Sequence, residues 1–130
     1  MAALPPYAQL LRLETESDPQ SGAPLFLMPA HDGVLGRPGF LHGGAIAGLC
    51  EFAAFASLRQ ALGEEVTVMK PVTVTIDYLR GGRMQPTRAR AAIVRLGRRI
   101  ANVEVRAWQE DETKPIAVAR LNFLLERAGQ

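Results

Sequence analysis

The chain is poor in residues that would staple or metallate a small protein. It has one cysteine, Cys50, and two histidines, His31 and His42. A lone cysteine excludes an internal disulfide, and one thiol with two histidines leaves no spaced ligand set for a metal. No histidine stands three or four residues from Cys50 to activate it, so a small buried thiol is its expected role. The N-terminal stretch Met1-Ala-Ala-Leu-Pro-Pro-Tyr7 lacks the basic region and continuous apolar core of a secretory signal. No apolar run reaches the ~18 residues of a membrane span without interruption by His42, Glu51 or several glycines. These absences predict a soluble cytoplasmic protein without a membrane partner. Net charge is only +2. Repeats, low-complexity segments and long charge runs are absent.

What is present is globular composition: 48% of 130 residues are apolar and 22% charged, enough for one domain over 1–130 with a single core. The most apolar stretch runs from Pro38 to Leu58, and Glu51 is its only formal charge between Arg37 and Arg59. Burying an ionised carboxylate costs several kcal/mol unless it is compensated, so this lone acid marks candidate chemistry. At helical spacing its neighbours are Gly44, Ala47, Gly48, Ala54, Phe55 and Leu58, a face of mostly small side chains that another backbone or a ligand can approach. A second asymmetry is electrostatic. Between Arg80 and Arg106 stand eight arginines against one acid, Glu104, which suits either an anionic ligand or a solvated strand face. Aromatic residues for stacking bases are nearly missing there, which argues against a nucleic-acid partner.

Read in order, Leu4 to Leu13 predicts a short helix with proline near its first turn. Glu14 to Pro24 reads as the turn of a hairpin and Leu25 to Met28 as the strand after it. Pro29 to Leu41 is a loop. The spacing then predicts one helix from about Gly43 to Leu62, stopped near Gly63 and apolar on nearly all sides, hence wrapped by other elements. From Val66 the period changes to two, giving a long strand with a break or bulge at Lys70-Pro71. Strands Thr87–Leu96, Ile100–Gln109 and Ile116–Leu125 follow, joined by turns at Gly81-Gly82, Gly97-Arg98 and Glu110 to Thr113. Short turns predict antiparallel neighbours in a meander curled around the helix.

The string Leu41-His42-Gly43-Gly44, with an acid nine residues after the histidine, resembles the hotdog-fold acyl-CoA thioesterases, in particular the PaaI-like (phenylacetate-degradation) group. Tyr78-Leu79-Arg80 at a strand end and Gly97-Arg98-Arg99 before the next long strand extend the likeness over essentially the whole chain. The resemblance implies an α+β hotdog fold, with an antiparallel sheet of five or six strands around one long central helix. It implies hydrolysis of an acyl-CoA to acid and CoA, with neither metal nor organic cofactor, in a homodimer often paired into a tetramer. Carried onto this chain, Glu51 is the general base or a carboxylate nucleophile. Gly43 is the better match to the family's amide donor at the helix start, Gly44 is a second donor, and His42 has a positioning role. Arg80, Arg98 and Arg99 are candidates for the CoA moiety, and Phe55, Leu58 and Met69 for an apolar acyl pocket.

Three positions depart from the pattern: Gly36 replaces the usual Asn or Gln six residues before the histidine, Pro71 replaces a Ser or Thr, and Glu51 replaces Asp. Thr73 substitutes for the missing hydroxyl only if the strand register shifts at a bulge. Two alternatives share the fold, a non-catalytic acyl-CoA-binding protein and a dehydratase or hydratase. One geometric step bears on all of them. Gly43 and Glu51 are eight residues apart, roughly 12 Å along a helix, too far for one thioester to meet both in the same chain. A twofold dimer with antiparallel central helices brings Gly43 of one subunit to Glu51 of the other.

Overall fold

A computed structural model describes residues 4–129, so residues 1–3 and 130, the ends of the single domain expected over 1–130, lie outside the described residues. A short helix α1 (Pro6–Leu11) is followed by strands β1 (Glu14–Ser17) and β2 (Pro24–Met28), a 3-10 turn (Asp32–Val34) and the long helix α2 (Gly43–Leu62). Four strands complete the chain: β3 (Val66–Tyr78), β4 (Thr87–Leu96), β5 (Ile100–Trp108) and β6 (Ala117–Arg127).

Helix α2 begins and ends where local chemistry dictates. His42 is extended (φ −68°, ψ 134°), and its Nδ1 accepts the N–H of Gly44 as an N-cap. At the other end Gly63 adopts φ 57°, in the half of backbone space that favours glycine, and its N–H returns to the Arg59 carbonyl. Between the caps the helix buries Ala45, Ile46, Leu49, Cys50, Ala53, Ala54, Leu58 and Leu62. Each large apolar side chain removed from water contributes about 2 kcal/mol. The facing side of the sheet supplies Ala89, Ala101, Ala107 and Ala119, small enough to let the helix sit close, and Val103, Leu121 and Phe123 to fill the space between. By length and composition Gly43–Glu65 would pass for a membrane span despite its interruption by Glu51 and glycines. Here it is the core helix, wrapped by the sheet.

All six strands form one antiparallel sheet in the order β1-β2-β4-β5-β6-β3, the hotdog arrangement that the resemblance implies. The meander expected from β3 into β4 is corrected: β3 pairs with β6, from Val66 opposite Arg127 to Tyr78 opposite Ala117. Gly81-Gly82 is therefore part of a crossing over the sheet end rather than a hairpin turn, and β3 becomes an edge. The stretch read as a hairpin turn from Glu14 also needs correction. Glu14–Ser17 already pairs with β2, and the turn proper is closed by Asp18, whose N–H reaches the Ala23 carbonyl at 2.8 Å.

Among the eight clustered arginines, Arg88 and Arg90 form ion pairs that tie elements together. Arg88 pairs with Glu16 at 2.8 Å, and Arg90 with Asp18 at 2.6 Å and Glu112 at 2.8 Å, clamping the hairpin to β4 and to the β5–β6 connection. The Gln20 backbone N–H, with Arg90 behind it, holds the Asp18 carboxyl below the usual carboxylate range.

Candidate active site

The first turn of α2 is organised by its own side chains. His42 Nδ1 takes the Gly44 N–H at 2.9 Å, so the imidazole carries its proton on Nε2 and Gly44 has no amide left to offer. The Ala45 and Ile46 amides turn back to the His42 carbonyl. The Gly43 N–H meets no acceptor among the described residues, as the first helical amide has none within its own helix. Gly43's carbonyl is held instead by the Tyr78 hydroxyl, which donates to it at 2.9 Å. Burial, with a contribution from Cys50, raises the Tyr78 pKa, which keeps that donor protonated. Tyr78 is a positioning residue that spacing did not reveal, although it stands inside the Tyr-Leu-Arg string.

Glu51 lies on the exposed stripe of α2 with Gly44 and Phe55. It stands on the wall of a cavity of about 250 Å³ between α1, α2 and β3, lined by Tyr7, Leu11, Leu13, Gly48, Phe52, Phe55 and Pro71 among others. The small face around Glu51, expected to meet a second subunit's helix, is in part covered by α1 of the same chain. A β-carbon placed on Gly48 would stand 2.7 Å from the Tyr7 ring and 2.9 Å from a Leu11 methyl. Cys50, one residue away, is fully buried, and burial pushes its thiol up to about 12, which removes it as a nucleophile.

Of the three acyl-pocket candidates only Phe55 lines this cavity. Leu58 and Met69 lie in the core, 0% and 6% exposed, and do not line the cavity. The bulge allowed for in β3 is present, between Pro71 and Thr73, but it does not rescue the missing hydroxyl. Pro71 opposes buried Phe123 and lines the Glu51 cavity, whereas Thr73 opposes Asn122 on the outer face. Gly36 is tightly placed. A β-carbon there would come within 2.9 Å of His42 Cα and 3.1 Å of His42 N, so the turn has no room for the family's Asn or Gln.

The arginine candidates separate. Arg80 borders a cavity of about 300 Å³ at the start of α2 with Arg37, Phe40, Gly43 and Tyr78. It also borders a second of about 490 Å³ with Arg83, Gln109 and Lys114. Arg37 and Arg83 stack on the Phe40 ring at 4.2 and 4.9 Å, two cations that the sequence reading had not joined to the site. Arg98 and Arg99 sit on the β4–β5 turn, by the C-terminal end of α2, where Arg127 donates to the carbonyls of Gly97 and Arg98. Within one protomer they are not brought to Arg80. No group of three or more His, Cys, Asp or Glu that could hold a metal occurs among the described residues.

A long helix wrapped by a six-stranded antiparallel sheet, with a capped glycine start and a carboxylate beside an apolar cavity, defines a hotdog-fold protein. The chain belongs to the thioesterase superfamily, whose profile matches residues 38–116. Among solved structures, a Chromobacterium violaceum protein is 38% identical over 95% of this chain and 85% of its own, with a TM-score of 0.77. A Bacillus halodurans protein solved with CoA is 22% identical over 94% of this chain and 79% of its own (TM-score 0.83). The Haemophilus influenzae thioesterase HI1161 is 23% identical over 95% and 85% (TM-score 0.83). No curated protein matches the chain.

Proposed function

We propose that the protein hydrolyses an acyl-CoA thioester to a free acid and CoA, across the interface of a homodimer that itself pairs into a tetramer. The observation that carries this reading is the pairing of an unengaged Gly43 amide at a helix start with a carboxylate on the wall of an otherwise apolar cavity. Glu51 of one subunit takes a proton from water, the oxygen attacks the thioester carbonyl carbon, and the Gly43 N–H of the other subunit stabilises the oxyanion. As the C–S bond breaks, the sulfur leaves as the CoA thiolate and is protonated. Hydrolysis in heavy-oxygen water under single-turnover conditions separates this from nucleophilic attack by Glu51, which would leave the first label in the carboxylate. Arg80, with Arg37 and Arg83 beside it, is suited to the phosphates of CoA. The PaaI-like assignment rests on the Leu41–Gly44 and Tyr78–Arg80 strings, and the cytoplasm is the compartment where acyl-CoA would be met.

The test is thiol release from a panel of acyl-CoA substrates by the wild-type protein and by Glu51→Gln. A drop in kcat of about 10²- to 10⁴-fold with acyl-CoA affinity retained is expected. Unchanged release in the variant would refute the mechanism. A wild-type protein that binds without turnover would instead be a non-catalytic acyl-CoA binder. Against a dehydratase, both ring nitrogens of His31 are tied, to the Leu11 carbonyl at 3.0 Å and the Gly33 N–H at 3.2 Å.

A further inference from the structure

We propose that the acyl group is received in the chamber between α1 and α2 beside Glu51, and that Tyr7 of α1 sets the largest acyl group accepted. The inference rests on the hydrolase reading and extends it to substrate size.

The chamber is built from three elements. Helix α1 contributes Tyr7 and Leu11, α2 contributes Phe52 and Phe55 on either side of Glu51, and β3 contributes Pro71. Apart from the Glu51 carboxylate and the Tyr7 hydroxyl these side chains are apolar, so the occupant has to be apolar with its reactive carbon at the carboxylate. An aliphatic cavity of about 150 Å³ takes benzene, so about 250 Å³ corresponds to roughly ten carbon atoms, a medium-length chain or a ring with a short arm.

The limiting wall is α1. It has no side-chain N-cap, it rests on Gly48 through Tyr7 and Leu11, and its C-terminal carbonyl at Leu11 is held by His31 Nε2 at 3.0 Å. Leu11 is also part of the core, at 3% exposure, whereas Tyr7 is 53% exposed and can be changed without opening the core.

The experiment compares kcat/KM across acyl-CoA substrates of increasing chain length for wild type, Tyr7→Ala, Tyr7→Trp and Leu10→Ala. Leu10 is on the same helix, 64% exposed and off the chamber. Tyr7→Ala is expected to lengthen the longest well-hydrolysed chain by about two carbons, raising kcat/KM for that substrate on the order of tenfold. Tyr7→Trp should shorten it, and Leu10→Ala should keep the wild-type profile. Hydrolysis with a profile unmoved by both Tyr7 variants overturns the chamber while leaving the hydrolase reading intact. The same acyl-CoA series is titrated by calorimetry into Glu51→Gln and into its double variants with Tyr7→Ala and Tyr7→Trp. If the wild type hydrolyses nothing but affinity still tracks chain length and shifts with Tyr7, the chamber stands and the hydrolase reading falls. Affinity indifferent to chain length overturns the chamber.

Discussion

Glu51 can sit in an apolar helix because it occupies the one stripe of α2 that its own sheet does not cover. The sequence showed the charge, and of the neighbours that helical spacing put beside it Gly44 and Phe55 share its exposed stripe and Ala47 and Gly48 are half-buried, whereas Ala54 and Leu58 turn into the core. The resemblance favoured Gly43 over Gly44 as donor, but the reason was not legible, because it turns on the single contact by which His42 takes the Gly44 amide and leaves Gly43's. Gly36 gives a residue-scale prediction. Its missing β-carbon would press within 2.9 Å of His42 Cα, and the atoms it meets are backbone, which cannot swing aside. Overpacking of this kind costs about 1–3 kcal/mol. Gly36→Ala should therefore lower Tm by about 4–10 °C and reduce turnover, because the turn that shifts carries the α2 cap. A thermal melt superimposable on wild type would show that the turn yields freely.

At the scale of elements, α2 was legible to its ends because its start and stop are local chemistry, a histidine cap and a glycine stop. Strand alternation likewise fixed β4 over Thr87–Leu96. The place of β3 in the sheet was not legible, since Gly81-Gly82 looks like a tight turn locally and the pairing that overrides it lies some forty residues away, in β6. Nor was the role of α1, whose apolar residues announce packing but not the partner. That partner is the glycine face of α2, and Gly48→Ala tests it. Alanine gains about 1 kcal/mol of helix propensity, while displacing the Tyr7 ring and a Leu11 methyl costs a similar amount because both are side-chain ends. Tm is expected to stay within about 3 °C of wild type while turnover of the longest accepted acyl-CoA falls several-fold relative to the shortest. An unchanged acyl profile would mean that α1 does not wall the chamber.

At the scale of the whole molecule, the protomer presents two unfinished surfaces side by side. One is the free edge of β3, and the other is its helix-facing row, where Val74 and Tyr78 are 43% and 53% exposed although both oppose buried β6 residues. Pairing two β3 edges about a twofold axis would cover that row and set the two α2 helices antiparallel, with Gly43 of each near Glu51 of the other. A site split in this way would have a strict consequence. Gly43→Pro removes the donor N–H at a helical position where proline is tolerated, and its β-carbon would meet the Tyr78 oxygen at an ordinary 3.4 Å. Alone, Gly43→Pro and Glu51→Gln should each be nearly inactive. Unfolded together and refolded at equal concentrations, about half the dimers carry one subunit of each kind, and each of these has one site made of the unaltered Gly43 and the unaltered Glu51. The mixture should recover about a quarter of wild-type activity, because one of two sites works in half of the dimers. A site contained in one chain would recover nothing, so a mixture as inactive as its components, with mixed dimers demonstrated by differential tagging, would refute the shared site.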